Sequence, residues 1–243
     1  MTRVVAVVQA RASSTRLPGK VLAPLGDRAV VDWVLRAASA ADGVDDVVLA
    51  TSEHASDDRL AAHAVSTGFP VVRGDLDDVL SRFRRALERH PGDGVVRLTA
   101  DCPLLDPHLV AAVVAVWRSD PSLDYVSTVA PRTLPRGLDV ELVSASALAE
   151  LDSLATGYHR THVTSFVREH PERFRLLGVT AAPPADDLRV TLDTAEDLRL
   201  LRGLVGLLGD RPPGWREVVD ALRADSSLAA LNAGVRQKAL EEG

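Results

Sequence analysis

The apolar positions fall into two kinds of run that take turns along the chain. Residues 4–8, Val-Val-Ala-Val-Val, are β-branched and continuously apolar, the composition of a strand buried on both faces. Residues 30–41 place Val30, Val31, Val34, Leu35 and Ala38 on one side of a helix that stops at Asp42-Gly43. The same reading predicts strands over 47–50, 69–72 and 95–99, and helices over 57–66, 77–88 and 107–118. Four strand–helix alternations predict an α/β protein with a doubly wound, mostly parallel sheet and ligands at the carboxyl ends of its strands. The rhythm then changes. Strands are expected over 125–129 and 137–143 around a Pro/Arg-rich loop at 131–136, then helices over 145–154 and 158–168. Strands over 174–180 and 189–192 and a helix over 195–208 follow. Residues 209–214 (GDRPPG) read as a linker, and 215–224 and 227–240 as short helical stretches. The spacing of Val218, Val219 and Leu222 lets this tail dock on the core, cover a site or pack in a dimer.

The first strand opens into a polar loop carrying Arg11, Arg16 and Lys20, punctuated by Pro18-Gly19. Three cations past the carboxyl end of a strand suit phosphates; the plainer alternative is a solvated basic turn. The loop is not a Walker loop, because Val21 follows Lys20 and Ser14 stands where the first glycine is needed. It is not Gly-x-Gly-x-x-Gly either.

Composition narrows the setting. Of 243 residues, 46% are hydrophobic and 26% charged, enough for a folded core. The net charge of -6 argues against a general nucleic-acid binder, though a local cationic cluster can still oppose it. One cysteine, Cys102, precludes an intramolecular disulfide and favours a reducing, cytoplasmic setting. No N-terminal signal is visible, and no apolar run approaches the roughly 20 residues of a membrane helix.

Two carboxylates stand out. Asp101 and Asp193 each follow a predicted strand, so both fall on the ligand edge of the sheet. Hard oxygen ligands beside phosphates suit Mg²⁺; the alternative is a turn residue before Pro103 and a helix N-cap. In Pro135-Arg136-Gly137-Leu138-Asp139-Val140-Glu141, strand alternation turns Asp139 and Glu141 to one side, toward an acceptor or toward solvent. His159 and His162 have no third metal ligand in view, so a substrate-pocket role for Arg160 and His162 is favoured over zinc. Cys102, beside Asp101, lacks a histidine partner in the sequence and reads as a buried neighbour.

The stretch QARASSTRLPGK resembles the signature of sugar cytidylyltransferases: the acylneuraminate and 3-deoxy-manno-octulosonate enzymes and, above all, the spore-coat polysaccharide group. Five further blocks follow in the family's order. These are Ala50-Thr51-Ser52, Arg73-Gly74 with Asp77-Asp78-Val79-Leu80, the run from Arg97 to Leu104, Gly137 to Glu141, and Leu192 to Leu198. Together they span roughly residues 3–208. Ser13 replaces a common glycine and Ala195 a common proline. The resemblance implies a Rossmann-like nucleotide-diphospho-sugar transferase fold, with a small insertion after the fourth helix. It implies a nucleotidyltransferase domain over 1–208, with an acceptor and dimerisation insertion at 124–180, and a tail over 209–243. It implies CTP-dependent transfer of CMP to an acidic sugar or similar acceptor, with release of pyrophosphate, by a homodimer. Catalysis would fall to Arg11, Arg16, Lys20 and Asp101, and Mg²⁺ to Asp101 and Asp193. The nucleotide would meet Ala10, Arg11, Ser14, Arg16, Lys20, Thr51, Arg73, Asp78 and Ala100; the acceptor would meet Arg136, Asp139, Glu141, Arg160 and His162. Open alternatives are another nucleoside triphosphate, a phosphonate-type acceptor, a glycosyltransferase of the same fold, or a non-catalytic nucleotide-binding protein. Asp101-Cys102-Pro103 in place of Asp-x-Asp counts against the glycosyltransferase.

Overall fold

The structure is a computed structural model and describes residues 2–237. Its centre is β1 (Val4–Gln9). Val4, Ala6 and Val8 face one hydrophobic layer and Val5 and Val7 the other, which is why this strand is continuously apolar rather than alternating. Pro24–Leu25 and Arg28–Ala29 form a small hairpin, β2 and β3, with Gly26 at φ 64 in its turn. Neither strand was legible in the sequence, since two residues each carry no period.

The chain continues through α1 (Val30–Ser39), β4 (Asp46–Ser52), α2 (Asp58–Ser66), β5 (Val71–Gly74), α3 (Val79–Arg89), β6 (Gly94–Thr99) and α4 (Pro107–Ser119). Then come β7 (Tyr125–Ser127), β8 (Glu141–Ser144), α5 (Ala145–Leu154), α6 (Tyr158–Thr161), α7 (Ser165–Glu169) and β9 (Leu176–Gly178). The last elements are α8 (Ala195–Leu208), α9 (Trp215–Ala224) and α10 (Ser226–Ala230). The sheet runs β5-β4-β1-β6-β8-β7-β9, with β8 antiparallel to its neighbours β6 and β7 and every other pair parallel. Helices α1, α4, α8 and α9 cover one face through Trp33, Val113, Leu204 and Val218. Helices α3 and α5 cover the other through Phe83 and Leu148.

Three expected elements come out differently. The 137–143 strand shortens to β8 because Gly137 adopts φ 105, which breaks the extended run. The 158–168 helix splits at His162 into α6 and α7. There the Thr161 and Thr164 hydroxyls donate to Asp77 O (2.9 Å) and Glu141 (2.6 Å), and such bonds compete with helix continuity. Residues 189–192 form no strand of the sheet; Arg189 makes one isolated bridge, to Arg136. The tail docks on the core: Trp215 N donates to Asp106 (2.8 Å), and Leu228 packs where any Cβ on Gly203 would come within 2.6 Å of it. Among the described residues helical structure ends at Ala230; residues 238–240 of the expected helix lie outside them.

Candidate active site

The carboxyl ends of β1 and β6 open on a cavity of about 600 Å³. The loop after β1 is folded back on itself: Gly19, left-handed at φ 72, donates to Ala12 O (3.0 Å) and turns the chain into Lys20. The loop is held from below by Asp57, which is fully buried. Its Oδ1 accepts from Ala12 N (2.7 Å), and its Oδ2 from Ser52 N (3.1 Å) and Ser52 Oγ (2.5 Å). Burial opposes the Asp57 charge, but these donors hold its carboxyl below the usual range. Nothing in the sequence singled out Asp57, because its partners are backbone groups 45 and 5 residues away.

Lys20 is 9% exposed and spends all three donors on one small region. Its Nζ donates to Asp101 Oδ2 (2.7 Å), Asp193 Oδ1 (2.8 Å) and Leu192 O (2.6 Å). Burial works against the ammonium charge, but Asp101 and Asp193 outweigh it and raise its pKa. Asp193 also meets Arg16 (2.9 Å) and Arg189 (2.6 Å). Burial penalises the Asp193 charge too, yet Lys20 first, then Arg189 and Arg16, pull its carboxyl down to about 2.

Neither aspartate is a helix cap. The N-cap of α4 is Asp106 and that of α8 is Thr194, in a capping box with Asp197. Asp197, fully buried, takes the backbone N–H groups of Asp193 (2.8 Å) and Thr194 (3.0 Å), Arg189 Nε (3.1 Å) and Asn232 Nδ2 (2.8 Å). That cluster fixes where Asp193 points. Among the described residues no group of three or more His, Cys, Asp or Glu is placed to hold a metal. Two carboxylates that share one cation nonetheless form a hard oxygen set, compatible with Mg²⁺ completed by phosphate oxygens and water.

The other half of the cavity is lined by Arg97, Arg132, Arg136, Asp139, Glu141 and Arg168. Asp139 pairs bidentately with Arg132 at 2.6 and 2.9 Å. Glu141, 4% exposed, accepts from Arg97, Tyr125 and Thr164, with Arg168 at 3.9 Å. Burial opposes its charge, but Arg97 and Arg168 carry its pKa below the usual carboxylate value. With its oxygens taken, Glu141 organises the wall and does not reach out to an acceptor. Arg97, Arg132 and Arg168 were not anticipated; only Arg97, a cation in an otherwise apolar strand, left a signal.

Ala10, Arg11, Ser14, Arg16, Lys20, Ala100, Asp101, Arg136, Asp139, Glu141, His162 and Asp193 all border the cavity. Four expected site residues do not. Thr51 is fully buried. Arg73 turns outward to Ser52 O (2.8 Å) and Asp58 (2.7 Å). Asp78 caps α3 through Ser81 N (2.9 Å) and pairs with Arg160 (2.7 Å), whose remaining donors go to Asp152. Both Arg73 and Arg160 are consumed by local carboxylates that sequence spacing does not reveal. Cys102 is buried, and burial first, then Asp101, pushes its thiol pKa well up, so it is no nucleophile.

One close approach joins the two halves. A Cβ on Gly137 would lie 2.5 Å from Thr191 N and 2.7 Å from the Val190 carbonyl carbon, in a segment leading to Asp193. Gly137→Ala is expected to lower the melting temperature by at least about 2 °C, from roughly 1–3 kcal/mol of backbone strain. An unchanged melting curve would show that the contact yields freely.

A parallel sheet whose first loop sets cations against paired carboxylates, without a Walker glycine pattern, defines a nucleotidyltransferase-type site. The family model described as "Cytidylyltransferase" matches residues 5–202, and the chain belongs to that family. It is 34% identical over 220 residues to the spore coat polysaccharide biosynthesis protein SpsF of Bacillus subtilis, covering 87% of this chain and 90% of that protein. It is 37% identical over 123 residues to a 3-deoxy-manno-octulosonate cytidylyltransferase of Maricaulis maris, covering 49% of this chain and 46% of that one. A solved cytidylyltransferase structure from Leptospira borgpetersenii superposes with a TM-score of 0.90 at 28% identity, covering 94% of this chain and 97% of that one. The chain is therefore an enzyme of the nucleotidyltransferase class, and the fold expected from the alternating pattern is the one observed.

Proposed function

We propose that this protein transfers CMP from CTP to an acidic sugar or similar anionic acceptor and releases pyrophosphate. The observation that carries the reading is one cavity with two chemically different halves. One half sets Arg11, Arg16 and Lys20 beside Asp101 and Asp193; the other presents four arginines (Arg97, Arg132, Arg136, Arg168) against two carboxylates (Asp139, Glu141). Four positive and two negative groups leave a surplus of two positive charges for an anionic acceptor.

In this reading Arg11 and Arg16 hold the β- and γ-phosphates, and Lys20 exchanges part of its carboxylate contact for a phosphate oxygen. The acceptor hydroxyl releases its proton to solvent as its oxygen attacks the α-phosphorus in line; the bond from the α-phosphorus to the bridging oxygen breaks, and pyrophosphate leaves with that oxygen and electron pair. The residues mainly position the groups and neutralise charge. A Mg²⁺ held by Asp101 and Asp193 would add Lewis-acid neutralisation of the phosphates. The surplus cations belong to Arg136, which forms no ion pair among the described residues, and Arg168, whose Nε is buried without a hydrogen-bond partner. Both are ready for a carboxylate, phosphate or phosphonate.

The reading also takes the protein to be a cytoplasmic homodimer. Leu177, 39% exposed on the edge strand β9, supports an interface in the 124–180 insertion. No helix among the described residues is long and apolar enough to cross a membrane.

Pyrophosphate release is expected with CTP and Mg²⁺ plus an acidic sugar or phosphonate, and at most one-tenth of that rate with UTP, GTP, ATP or dTTP. Equal or faster release with another triphosphate, or none with CTP across a panel of acids, would overturn the reading.

A further inference from the structure

Arg82 lies in the first turn of α3, is 2% exposed, and borders the cavity. Its Nε and Nη1 are shut away from solvent without a hydrogen-bond partner. Its charge is partly answered by Asp57, but both oxygens of Asp57 are already occupied by Ala12 and Ser52. Arg11 stands close enough to repel it, and burial lowers its pKa. The guanidinium thus has a counter-charge but lacks acceptors. Buried donors left unpaired are costly, so an arginine kept in this state is poised for a ligand that brings acceptors.

Its place in the sheet narrows the ligand. The stem of Arg82 crosses Gly74, where a Cβ would come within 2.8 Å of Arg82 Cγ. Gly74 ends β5, and β5 and β4 lie on one side of β1, whereas β6, which leads to Asp101, lies on the other. Arg82 is therefore at the end of the cavity away from the carboxylates and from the arginine wall that starts on β6. A triphosphate laid along Arg11, Arg16 and Lys20 with its terminal phosphates toward Asp101 and Asp193 brings its nucleoside to that end.

We infer that Arg82 reads the nucleotide base, donating two N–H groups to O2 and N3 of cytosine. This rests on the proposal that CTP is the co-substrate. Those two atoms are adjacent acceptors and suit a guanidinium edge. In uracil N3 carries a hydrogen, so one donor meets another and stays unpaired, which is how a polar site rejects a near-isostere.

The test is calorimetric binding of CTP, UTP and inorganic tripolyphosphate to wild type, Arg82→Gln and Arg82→Met, without acceptor, together with melting curves. Wild type is expected to favour CTP over UTP by at least about 10-fold. Both variants should bring that ratio to within about threefold and leave tripolyphosphate affinity unchanged. Arg82→Met should melt no lower than wild type without ligand, because an unpartnered buried cation is gone, while its CTP-induced shift shrinks. A retained CTP/UTP ratio overturns the inference. A parallel loss of tripolyphosphate affinity also overturns it, by making Arg82 a phosphate ligand. A lower melting point with an intact CTP shift overturns it as well, by making Arg82 structural. A wild type that binds CTP no more tightly than UTP sinks the CTP reading itself, and is told apart by the wild-type data alone.

Discussion

Lys20→Met is expected to lower kcat/KM for CTP at least about 30-fold, a loss of roughly 2 kcal/mol or more of transition-state stabilisation, the scale of one preorganised charged donor. The same variant should separate the two roles of the ammonium. Lys20 bridges Asp101 at 2.7 Å and Asp193 at 2.8 Å. Methionine keeps the volume but removes the shared cation. Asp193 retains Arg16 and Arg189, whereas Asp101 retains no ion pair among the described residues. Destabilisation in EDTA should be about 1–3 kcal/mol, less than for fully buried pairs because Asp101 is partly exposed. Adding Mg²⁺ should restore melting temperature in Lys20→Met by a larger increment than in wild type, where a divalent ion must first displace the ammonium. Near-wild-type turnover would remove Lys20 from the chemistry; an equal Mg²⁺ shift in both proteins would remove the metal from Asp101 and Asp193.

Glu141→Gln is expected to be the most damaging single change to stability, about 2–4 kcal/mol near neutral pH. Glutamine preserves the shape but leaves Arg97 paired only with Gln9 (2.9 Å) and deprives Arg168 of its nearby charge. The pH dependence follows from the direction of the shift. The folded-state pKa of Glu141 lies below its unfolded value, so its contribution is fully present above about pH 4.3 and is lost as pH falls through the folded value. The gap in melting temperature between wild type and Glu141→Gln should therefore be constant from about pH 6 to 8 and close in acid. A gap that widens on acidification would mean the carboxyl is not held ionised. Acceptor KM should rise more than CTP affinity falls in the variant, because Glu141 holds Arg97 and stands beside Arg168 in the arginine-lined half of the cavity.

The alternation of apolar runs was sufficient for the parallel half of the sheet, since strands buried on both faces and amphipathic helices leave distinct periods. The cationic loop and Asp101 were equally legible, because each follows a strand of the sheet and strand ends converge on one edge; Asp193 was placed beside them through an expected strand over 189–192 that the sheet does not contain. What sequence could not resolve is who meets whom across long separations. Arg73 and Arg160 look as available as Arg16 on the page; their neighbours Asp58, Asp78 and Asp152 take them out of the site. Asp57 and Asp197 looked like ordinary helix-start acids, yet each is fully buried beneath a functional loop. Arg82, within the helix expected over 77–88, drew no reading from the sequence because its burial is set by packing. The strands expected over 137–143 and 189–192 are shortened or lost because single backbone bonds such as Val190 N to Arg136 O (2.7 Å), which leave no mark in local sequence, set the path there.

By itself the sequence determined the α/β class, the cationic loop Arg11–Lys20 at the end of the first strand, and Asp101 at the end of another, because these depend on local pattern and chain order. Tertiary structure alone decided that Lys20 bridges the two carboxylates, that Glu141 is spent on holding an arginine wall, and that Arg82 waits without acceptors. The physical reason is that ion pairing and burial depend on distances of a few ångströms between residues tens to hundreds of positions apart.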